Sequence, residues 1–314
     1  MRVLSDGRAA PDELRGGAVA LGNFDGVHLG HQAVIGSAVR WAKGRGVAAL
    51  VATFDPHPSR LFRPDAPPFQ LTSLPQRLER FAELGADGAV VIPFTPELAA
   101  LSAEGFVEQW LVGRLAPAHV VTGQDFSFGH RRSGDVGLLR RLGERQGFST
   151  TVVPPVADGD GPISSTRIRQ LLVEGRPEAA ARLMGRPFAI EGAVVPGDRR
   201  GRTIGVPTAN MELGNYLRPR FGVYAVRVRL PNGRRALGVA NLGIRPMFEP
   251  PRLLLETWIL DWEGDLYGQR IEVELIAFLR DEQRLPDLKA LQAQVLRDAA
   301  AARRVLAQVS TQSS

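Results

Sequence analysis

Two histidines three residues apart stand in the segment LGNFDGVHLGH, residues 21–31. The segment follows a short apolar run and precedes a helical pattern, which predicts a turn from the first strand into the first helix. Its glycines permit close backbone approach, and His28 and His31 fall on one face of the first helical turn. A helix N-terminus attracts anions through its free N–H groups and its dipole, so the pair predicts a phosphate site. The spacing alone is equally consistent with metal binding or with structural packing.

A second polar segment, ISSTRIR at 163–169, places three hydroxyl side chains just before a predicted helix, with Arg167 and Arg169 after them. A single hydroxyl is enough to cap a helix, so capping alone could account for the segment. Capping requires neither three hydroxyls nor two arginines, and arginine is suited to planar recognition of phosphate. The segment therefore indicates a second contribution to a phosphate site.

Together the two segments resemble a nucleotidyltransferase superfamily that carries an HxGH and an ISSTxxR motif, here at 28–31 and 163–169. The resemblance implies that His28, His31 and Arg169 are catalytic. It also implies a set of nucleotide-binding residues in this domain: Gly22, Asn23, Phe24, Gly30, Ser164, Ser165 and Thr166.

Two further segments, TFDPHPSRLF at 53–62 and GQDFSFGHRRSGD at 123–135, are similar to the branch of that superfamily that adenylylates flavin nucleotides. The resemblance implies four flavin-binding residues: Phe54, Asp125, Phe126 and Phe128. For the three phenylalanines ordinary core packing is the alternative. The remaining histidines, His57, His119 and His130, are expected to be structural or solvent-facing.

A third segment, GDRRGRTIGVPTAN at 197–210, combines glycines and arginines with a PTAN sequence. Glycine-rich loops expose N–H groups to phosphates, and Thr and Asn oxygens can hold Mg²⁺, although a flexible basic turn would have the same composition. The segment resembles the riboflavin kinase family. That resemblance implies nucleotide binding by Gly197, Arg202 and Gly205, and metal binding by Thr208 and Asn210.

The same resemblance extends through LETWILDWEGDLYG at 255–268, where Glu256 matches the family's catalytic base. A kinase that acts on an alcohol needs a carboxylate near the hydroxyl group, whereas an exposed strand glutamate is the ordinary alternative. The sequence departs from the family pattern at four positions, which puts ligand affinity in doubt more than activity: Val206, Met247, Trp258 and Leu285.

The predicted secondary structure that positions these residues differs between the first and the second part of the chain. Candidate strands at 18–21, 47–54, 88–94, 118–123 and 150–156 alternate with helical patterns. Such alternation predicts a parallel sheet with ligands at the carboxyl ends of its strands. Residues 1–184 are therefore expected to form an α/β Rossmann-like nucleotidyltransferase domain.

The second part of the chain consists of apolar segments separated by Gly, Pro and Asn turns, with no helical pattern between them. It ends in an amphipathic pattern at 285–308 that predicts one helix. Residues 185–314 are therefore expected to form a mostly antiparallel β-barrel domain with a C-terminal helix.

Charge and composition exclude several classes of protein. The net charge of +6 is carried almost wholly by arginine, because Lys43 and Lys289 are the only lysines, and neither follows a P-loop glycine pattern. The basic residues are scattered as pairs without interleaved aromatics, so nucleic-acid binding is not expected. The chain has no signal-like segment and no membrane-length apolar run, so a cytoplasmic protein without membrane association is expected. It also contains no cysteine, which excludes disulfides, a thiolate nucleophile and Cys-ligated zinc but does not identify the redox compartment.

In this order, the two motif sets resemble the family of bifunctional bacterial riboflavin kinases and FAD synthetases. The resemblance implies phosphorylation of riboflavin to FMN by the C-terminal domain and adenylylation of FMN to FAD by the N-terminal domain. The implied ligands are riboflavin, FMN, FAD and ATP, with Mg²⁺ accompanying ATP as substrate, in a monomer or weak homo-oligomer. The alternatives are retention of only one activity, adenylylation of another phosphate ester such as phosphopantetheine, and a flavin-sensing protein without turnover.

Overall fold

The computed structural model describes residues 1–5, 7–197, 205–245 and 251–311. By its internal contacts the chain divides into two compact units. The first unit comprises Met1–Pro67 and Ser73–Ser164, and the second comprises Pro68–Thr72 and Ser165–Ser314. The division at Ser164 differs from the predicted domain boundary at 184/185, which stays a prediction.

The first unit contains a six-stranded parallel sheet in the order β1-β4-β3-β2-β5-β6. Its strands are β1 (Arg2–Leu4), β2 (Ala18–Leu21), β3 (Ala49–Asp55), β4 (Gly88–Pro93), β5 (His119–Gly123) and β6 (Ser149–Val153). The central strands are buried on both faces, which is why they read as continuous apolar runs and were predictable. The edge strand β1 was not predicted, since three residues are too few to show a period.

Helices cover both faces of this sheet, and alternate residues of the four inner strands, β2 to β5, belong to two separate apolar cores. They are α1 (Leu29–Lys43), α2 (Pro58–Phe62), α3 (Leu74–Glu83), α4 (Pro96–Ala100), α5 (Ala103–Phe106) with a wider helical continuation Val107–Leu115, and α6 (Val136–Gln146). Two short 3₁₀ turns, Asp12–Leu14 and His130–Arg132, and the small hairpin of β7 (Ala157–Asp158) and β8 (Gly161–Pro162) complete the unit. The predicted α/β class is confirmed.

The second unit contains a six-stranded antiparallel sheet in the order β10-β13-β12-β11-β14-β9. Its strands are β9 (Phe188–Ala193), β10 (Thr208–Glu212), β11 (Gly222–Arg229), β12 (Arg235–Arg245), β13 (Arg252–Ile259) and β14 (Arg270–Arg280). An isolated bridge between Val195 and Asn210 links the chain after β9 to the opposite edge strand, β10. The predicted antiparallel class is confirmed, and the sheet is a half-barrel of six strands.

Three helices accompany this sheet: α7 (Ser165–Val173), α8 (Pro177–Met184) and α9 (Leu288–Thr311). The last of them packs on one face of the sheet through Ala299, Ala302 and Leu306, which meet Val223 and Ala225 of β11 in one apolar cluster. The predicted C-terminal helix is confirmed. Among the described residues, no helix is both long and apolar enough to cross a membrane.

His119 at the start of β5 is a structural residue. Its ring stacks on Trp41 at 4.5 Å, and its two nitrogens lie 2.7 Å from Ser149 Oγ and 3.0 Å from Thr151 Oγ1. Burial lowers the pKa of His119, and the positive charge of Arg45 lowers it further. The folded protein therefore holds this imidazole neutral at pH values where the unfolded chain takes up a proton.

We expect the free energy of unfolding of the first unit to decrease as the pH falls through about 6.5, the ordinary pKa of histidine. The sign follows because the unfolded state binds more protons than the folded state in that range, and one group contributes at most about 1.4 kcal/mol per pH unit. Urea unfolding between pH 7.5 and 5 measures the effect. His119→Gln should flatten the pH dependence, whereas His130→Gln, at an exposed position, should leave it unchanged. A slope that survives His119→Gln would contradict the assignment.

Candidate active sites

The two histidines of the first site are fixed together at the N-terminus of α1. His28 is the N-cap residue, and its Nδ1 accepts a hydrogen bond from the backbone N–H of His31 at 3.3 Å. The two rings stack with centroids 3.6 Å apart, and Phe24 meets His31 edge-on at 5.3 Å. Both imidazoles therefore lie at the positive end of the helix dipole, where a phosphate would bind.

Gly30 makes this arrangement possible. A Cβ at this position would lie 3.1 Å from His28 Cε1 and 3.5 Å from the carbonyl oxygen of Ile163. A side chain at position 30 would thus crowd the ring of His28. The second distance also shows that the chain leading into Ser164 passes directly beside the histidine turn. The structure therefore places Ile163, the first residue of the ISSTxxR motif, beside the HxGH motif.

The loop after β2 is held by a residue that the sequence analysis missed. The guanidinium of Arg77, in α3, is 2% exposed and donates hydrogen bonds to the carbonyl oxygens of Asn23 and Phe54 and to Thr53 Oγ1. It also pairs with Asp55 at 2.7 Å. One buried cation thus ties the predicted nucleotide loop to the end of β3. An arginine on an amphipathic helix gives no signal of such a role in the sequence.

The order of the strands places the predicted ligand residues at one edge of the sheet. The chain runs from β2 to β3 and β4 on one side and continues with β5 and β6 on the other, so β2 and β5 flank the point where the strand order reverses. Gly22 follows β2, and the exposed Asp125 lies just after β5. Such a switch point is the usual ligand crevice of a parallel α/β sheet.

The predicted flavin aromatics belong to a row of contacting rings. Phe54 and Phe128 are core residues, 7% and 6% exposed, whereas Phe126 is half-buried and stacks on Phe128 at 5.6 Å. The row continues from Phe54 to Phe94 and ends at Phe62, which is 66% exposed. Phe62 was not among the predicted residues, because its exposure follows from packing and not from a local sequence pattern. Phe126 and Phe94 are half-buried and Phe62 is exposed, so these three rings of the row offer surface to a ligand.

The hydroxyl segment straddles the boundary between the two units. Ser164 ends the first unit and immediately precedes α7, whereas Ser165 and the exposed Thr166 are the first residues of that helix and belong to the second unit. Arg169 also lies in the second unit, where its Nε donates to the carbonyl oxygen of Phe69 at 2.8 Å. Within that unit the arginine anchors the segment Pro68–Thr72.

The second site is built on neighbouring strands of the half-barrel. Asn210 of β10 pairs directly with Glu256 of β13, and Thr208 pairs with Trp258. Asn210 is 4% exposed, and its Oδ1 has no hydrogen-bond partner among the described residues. A Cβ on Gly197 would lie 2.2 Å from Asn210 Nδ2, so the backbone at Gly197 lies against this amide and leaves no room for a side chain.

Other predicted residues of this site divide between described and undescribed parts of the chain. Gly205 is described and has a positive φ of 74°. Arg202 lies outside the described residues, as does Met247. Of the other departures from the family pattern, Val206 is 4% exposed, and Trp258 packs against the cluster under α9. Leu285 is half-buried.

An arginine that the sequence analysis did not single out holds the Glu256 carboxylate. Arg245 donates from Nη2 to Glu256 Oε2 at 2.8 Å and from Nη1 to Glu282 Oε1 at 2.9 Å. Burial by itself would lower the pKa of Arg245, but its hydrogen bonds to the two carboxylates and their charges outweigh burial and raise it. The carboxylate of Glu256 is thus oriented by a permanent cation.

A pocket of about 330 Å³ opens beside these strands and includes Thr208, Thr257, Trp262 and Tyr267 in its wall. The buried hydroxyl of Thr257 has no hydrogen-bond partner among the described residues. The pocket therefore combines aromatic surface with an unpaired buried hydroxyl, as ligand pockets commonly combine apolar walls with a few polar groups.

The oxygen ligands that the second site offers suit a magnesium ion that takes most of its other ligands from water and substrate. In the described ranges, no cluster of three or more His, Cys, Asp or Glu side chains is arranged for a metal. The buried, unpaired Oδ1 of Asn210 and the hydroxyl of Thr208 are hard oxygen ligands. Mg²⁺ typically takes few protein ligands and completes its shell with water and substrate phosphates, so this donor set fits it.

Comparison with known proteins gives matches over nearly the whole chain. A family model described as FAD synthetase matches residues 10–167, and one described as riboflavin kinase matches residues 184–306. The bifunctional riboflavin kinase/FMN adenylyltransferase of Escherichia coli (strain K12) is 42% identical over 295 residues, which cover 94% of this chain and 93% of the relative. The protein of the same name from Bacillus subtilis (strain 168) is 38% identical over 286 residues, 89% of each chain.

One solved structure resembles this chain closely. A crystal structure described as a macrolide-efflux protein from Streptococcus pneumoniae superposes with a TM-score of 0.86 and 28% sequence identity. The superposition covers 96% of this chain and 99% of the other. The fold described above is therefore found in a known structure.

Proposed function

Since the chain belongs to the family of bifunctional riboflavin kinase/FMN adenylyltransferases, we propose that its two activities are carried by the two sets of residues described above. The C-terminal part phosphorylates riboflavin to FMN, and the N-terminal part adenylylates FMN to FAD. The efflux role in the description of the structural relative is not carried over to this chain.

For the adenylylation step we assign phosphate binding to the turn of His28 and His31. The FMN phosphate attacks the α-phosphorus of ATP, a new P–O–P bond forms, and pyrophosphate leaves. Because the nucleophile is already an anion, the step needs no general base, and the protein must orient two polyanions and stabilise the developing charge. The stacked imidazoles at the helix N-terminus support this role. Ser164, Ser165, Thr166 and Arg169 are proposed to bind the nucleotide phosphates.

For the flavin of this step we retain the predicted residues and add one. Asp125, Phe126, Phe54 and Phe128 remain the proposed flavin-binding set, with Phe54 and Phe128 supporting the exposed rings from the core. Phe62 joins them, because it is the most exposed ring of the same row.

For the kinase step we propose that Glu256 accepts the proton of the terminal riboflavin hydroxyl, whose oxygen attacks the γ-phosphorus of ATP as ADP leaves. The observation that carries this assignment is the direct cross-strand pairing of Glu256 with Asn210. Thr208 and Asn210 would hold Mg²⁺, which would screen the charge of the phosphates when bound. The pocket at Thr257, Trp262 and Tyr267 is proposed to receive the nucleotide of this step.

We further propose that ATP is used as Mg²⁺–ATP in both steps, that the protein acts in the cytoplasm, and that it is a monomer or weak homo-oligomer. No nucleic acid or membrane partner is proposed. Incubation with riboflavin, ATP and Mg²⁺, followed by chromatography of the flavins, tests the function. We expect FMN first and FAD afterwards. Flavin binding without either product would favour a flavin sensor, and adenylylation of phosphopantetheine in preference to FMN would overturn the first assignment.

The predicted domain boundary can be tested with two fragments. We propose that residues 185–314 fold alone and phosphorylate riboflavin. In the structure, α8 contacts β9 and β14, and its Ala180, Leu183 and Met184 are 0%, 4% and 1% exposed. Burying a large apolar side chain contributes about 1.5 to 3 kcal/mol, so the longer fragment 165–314 should be the more stable of the two.

Thermal unfolding and riboflavin kinase assays of both fragments measure the difference. If 185–314 is unfolded while 165–314 is folded and active, the kinase domain begins at α7 and the boundary at 184/185 is wrong. If both are folded but inactive, the kinase site depends on residues outside the fragments.

A further inference from the structure

A second asparagine lies beside Glu256 on the side opposite to Asn210. In the pairing of β12 with β13, Asn241 stands directly across from Glu256, and in the pairing of β10 with β13, Asn210 does so. Directly paired residues of antiparallel strands point to the same face of the sheet. Asn210, Glu256 and Asn241 thus form a continuous polar row across three strands. Val223 of β11 is next in the row and is apolar.

The amide oxygen of Asn241 lacks a hydrogen-bond partner. Its Oδ1 is inaccessible to solvent and is unpaired within the described part of the chain. The guanidinium of Arg245, on the same strand, already donates hydrogen bonds to Glu256 and Glu282. Buried acceptors in native proteins are nearly always paired. We therefore expect this oxygen to accept a hydrogen bond from a donor outside the described part of the chain.

A ligand can reach this oxygen. The side chain of Asn241 as a whole is partly exposed. Rotation about its Cβ–Cγ bond is a broad, roughly two-fold torsion, so the oxygen can turn toward the exposed side. The site is therefore available to a substrate bound at Glu256.

The position of Asn241 identifies which part of the substrate it meets. On the other side of Glu256 lie Asn210 and Thr208, to which the metal and the phosphates are assigned above. With the metal and phosphates on that side, the alcohol is placed on the Asn241 side of Glu256, and neighbouring strands are about 4.8 Å apart. Riboflavin carries its reacting hydroxyl at the end of a ribityl chain with three more hydroxyl groups. When the terminal hydroxyl is at Glu256, an inner hydroxyl is within reach of the next strand.

We propose that Asn241 is a specificity residue of the kinase site, whose amide oxygen accepts a hydrogen bond from an inner hydroxyl of the ribityl chain. The inference rests on the proposed role of Glu256 and extends it to recognition of the polyol. For a flavin that lacks the inner hydroxyls, the kcat/KM for phosphorylation should not depend on this residue.

The experiment compares riboflavin with 10-(5-hydroxypentyl)flavin, which keeps only the terminal hydroxyl, as substrates of the full chain. The readout is the ratio of the two kcat/KM values for phosphorylation. We expect Asn241→Ala and Asn241→Val to lower kcat/KM for riboflavin about 3- to 10-fold, the effect of one neutral hydrogen bond, and to leave the value for the hydroxypentyl analogue unchanged. Val keeps the β-propensity of the strand, so the two variants guard against a failure to fold. Asn241→Asp keeps an acceptor and should keep the ratio.

Two controls distinguish polyol recognition by Asn241 from a purely structural role and from metal binding. Asn232→Ala, in the exposed turn before β12, should change neither value, and FAD formation from FMN should be normal in every variant. Equal losses for both flavins would overturn the proposal and make Asn241 a structural neighbour of Glu256. A raised Mg²⁺ requirement with an unchanged ratio would overturn it in favour of a metal ligand. If the parent protein phosphorylates neither flavin, it is the proposed kinase function that fails.

Discussion

Replacing Glu256 with Gln is expected to reduce phosphorylation of riboflavin by about 100- to 10,000-fold, the usual effect of losing a general base. Riboflavin presents a neutral hydroxyl group, which is a poor nucleophile until its proton is accepted. Glutamine keeps the shape of the side chain and removes its basicity. The strand should remain intact, because Arg245 keeps its second carboxylate partner, Glu282.

The two reactions should respond differently to this substitution. With riboflavin as substrate, both FMN and FAD should nearly vanish, since the second product depends on the first. With FMN supplied directly, FAD synthesis should continue at close to the parental rate, because the FMN phosphate needs no base. Chromatography of the flavins after each incubation measures both outcomes.

A matched control is available on the neighbouring strand. Glu212 of β10 is exposed and weakly paired with Arg252 at 3.8 Å. Glu212→Gln should leave both activities unchanged. Riboflavin phosphorylation at the parental rate in Glu256→Gln would mean that Glu256 is not the base and that the resemblance to riboflavin kinases has misplaced the chemistry.

The second large effect is expected at His31. Replacing it with Ala should reduce FAD formation from FMN by about 100- to 1,000-fold, which corresponds to the roughly 3 to 4 kcal/mol that one donor contributes in comparable oxyanion sites. FMN formation from riboflavin should be nearly normal. The physical reason is that a donor at the α-phosphate acts mainly on the charge that develops in the transition state.

Although His31 lies at the N-terminus of α1, its replacement by alanine should not disturb the start of that helix. The cap of α1 is formed by the side chain of His28 and the backbone N–H of His31, so alanine at position 31 keeps the cap. His130→Ala, at an exposed histidine of the same unit, serves as the control. Separate initial rates with FMN and with riboflavin give the two activities. Equal loss of both in a folded His31→Ala protein would argue against a role of His31 specific to adenylylation.

Local sequence patterns were sufficient for the central strands, the C-terminal helix and the order of the motifs. The central strands of the first unit are buried on both faces and therefore appear as apolar runs, and the strands of the second unit are separated by turn residues. The HxGH turn and the PTAN segment each consist of consecutive residues, so the chemistry of each could be predicted without a structure. The three-residue strand Arg2–Leu4 was missed because a period needs more residues than it has.

What the sequence by itself determined is thus the class of the two domains, their order and the function. The tertiary structure alone decided which distant residues meet. The pairing of Asn210, Glu256 and Asn241 depends on strand register, and a shift of one residue would turn Glu256 to the other face. The burial of Arg77 and the exposure of Phe62 depend on how α3 and the aromatic row pack. The periodicity of helices and strands depends on residues that are close in sequence. Strand register and burial depend on contacts between residues that are far apart in the sequence.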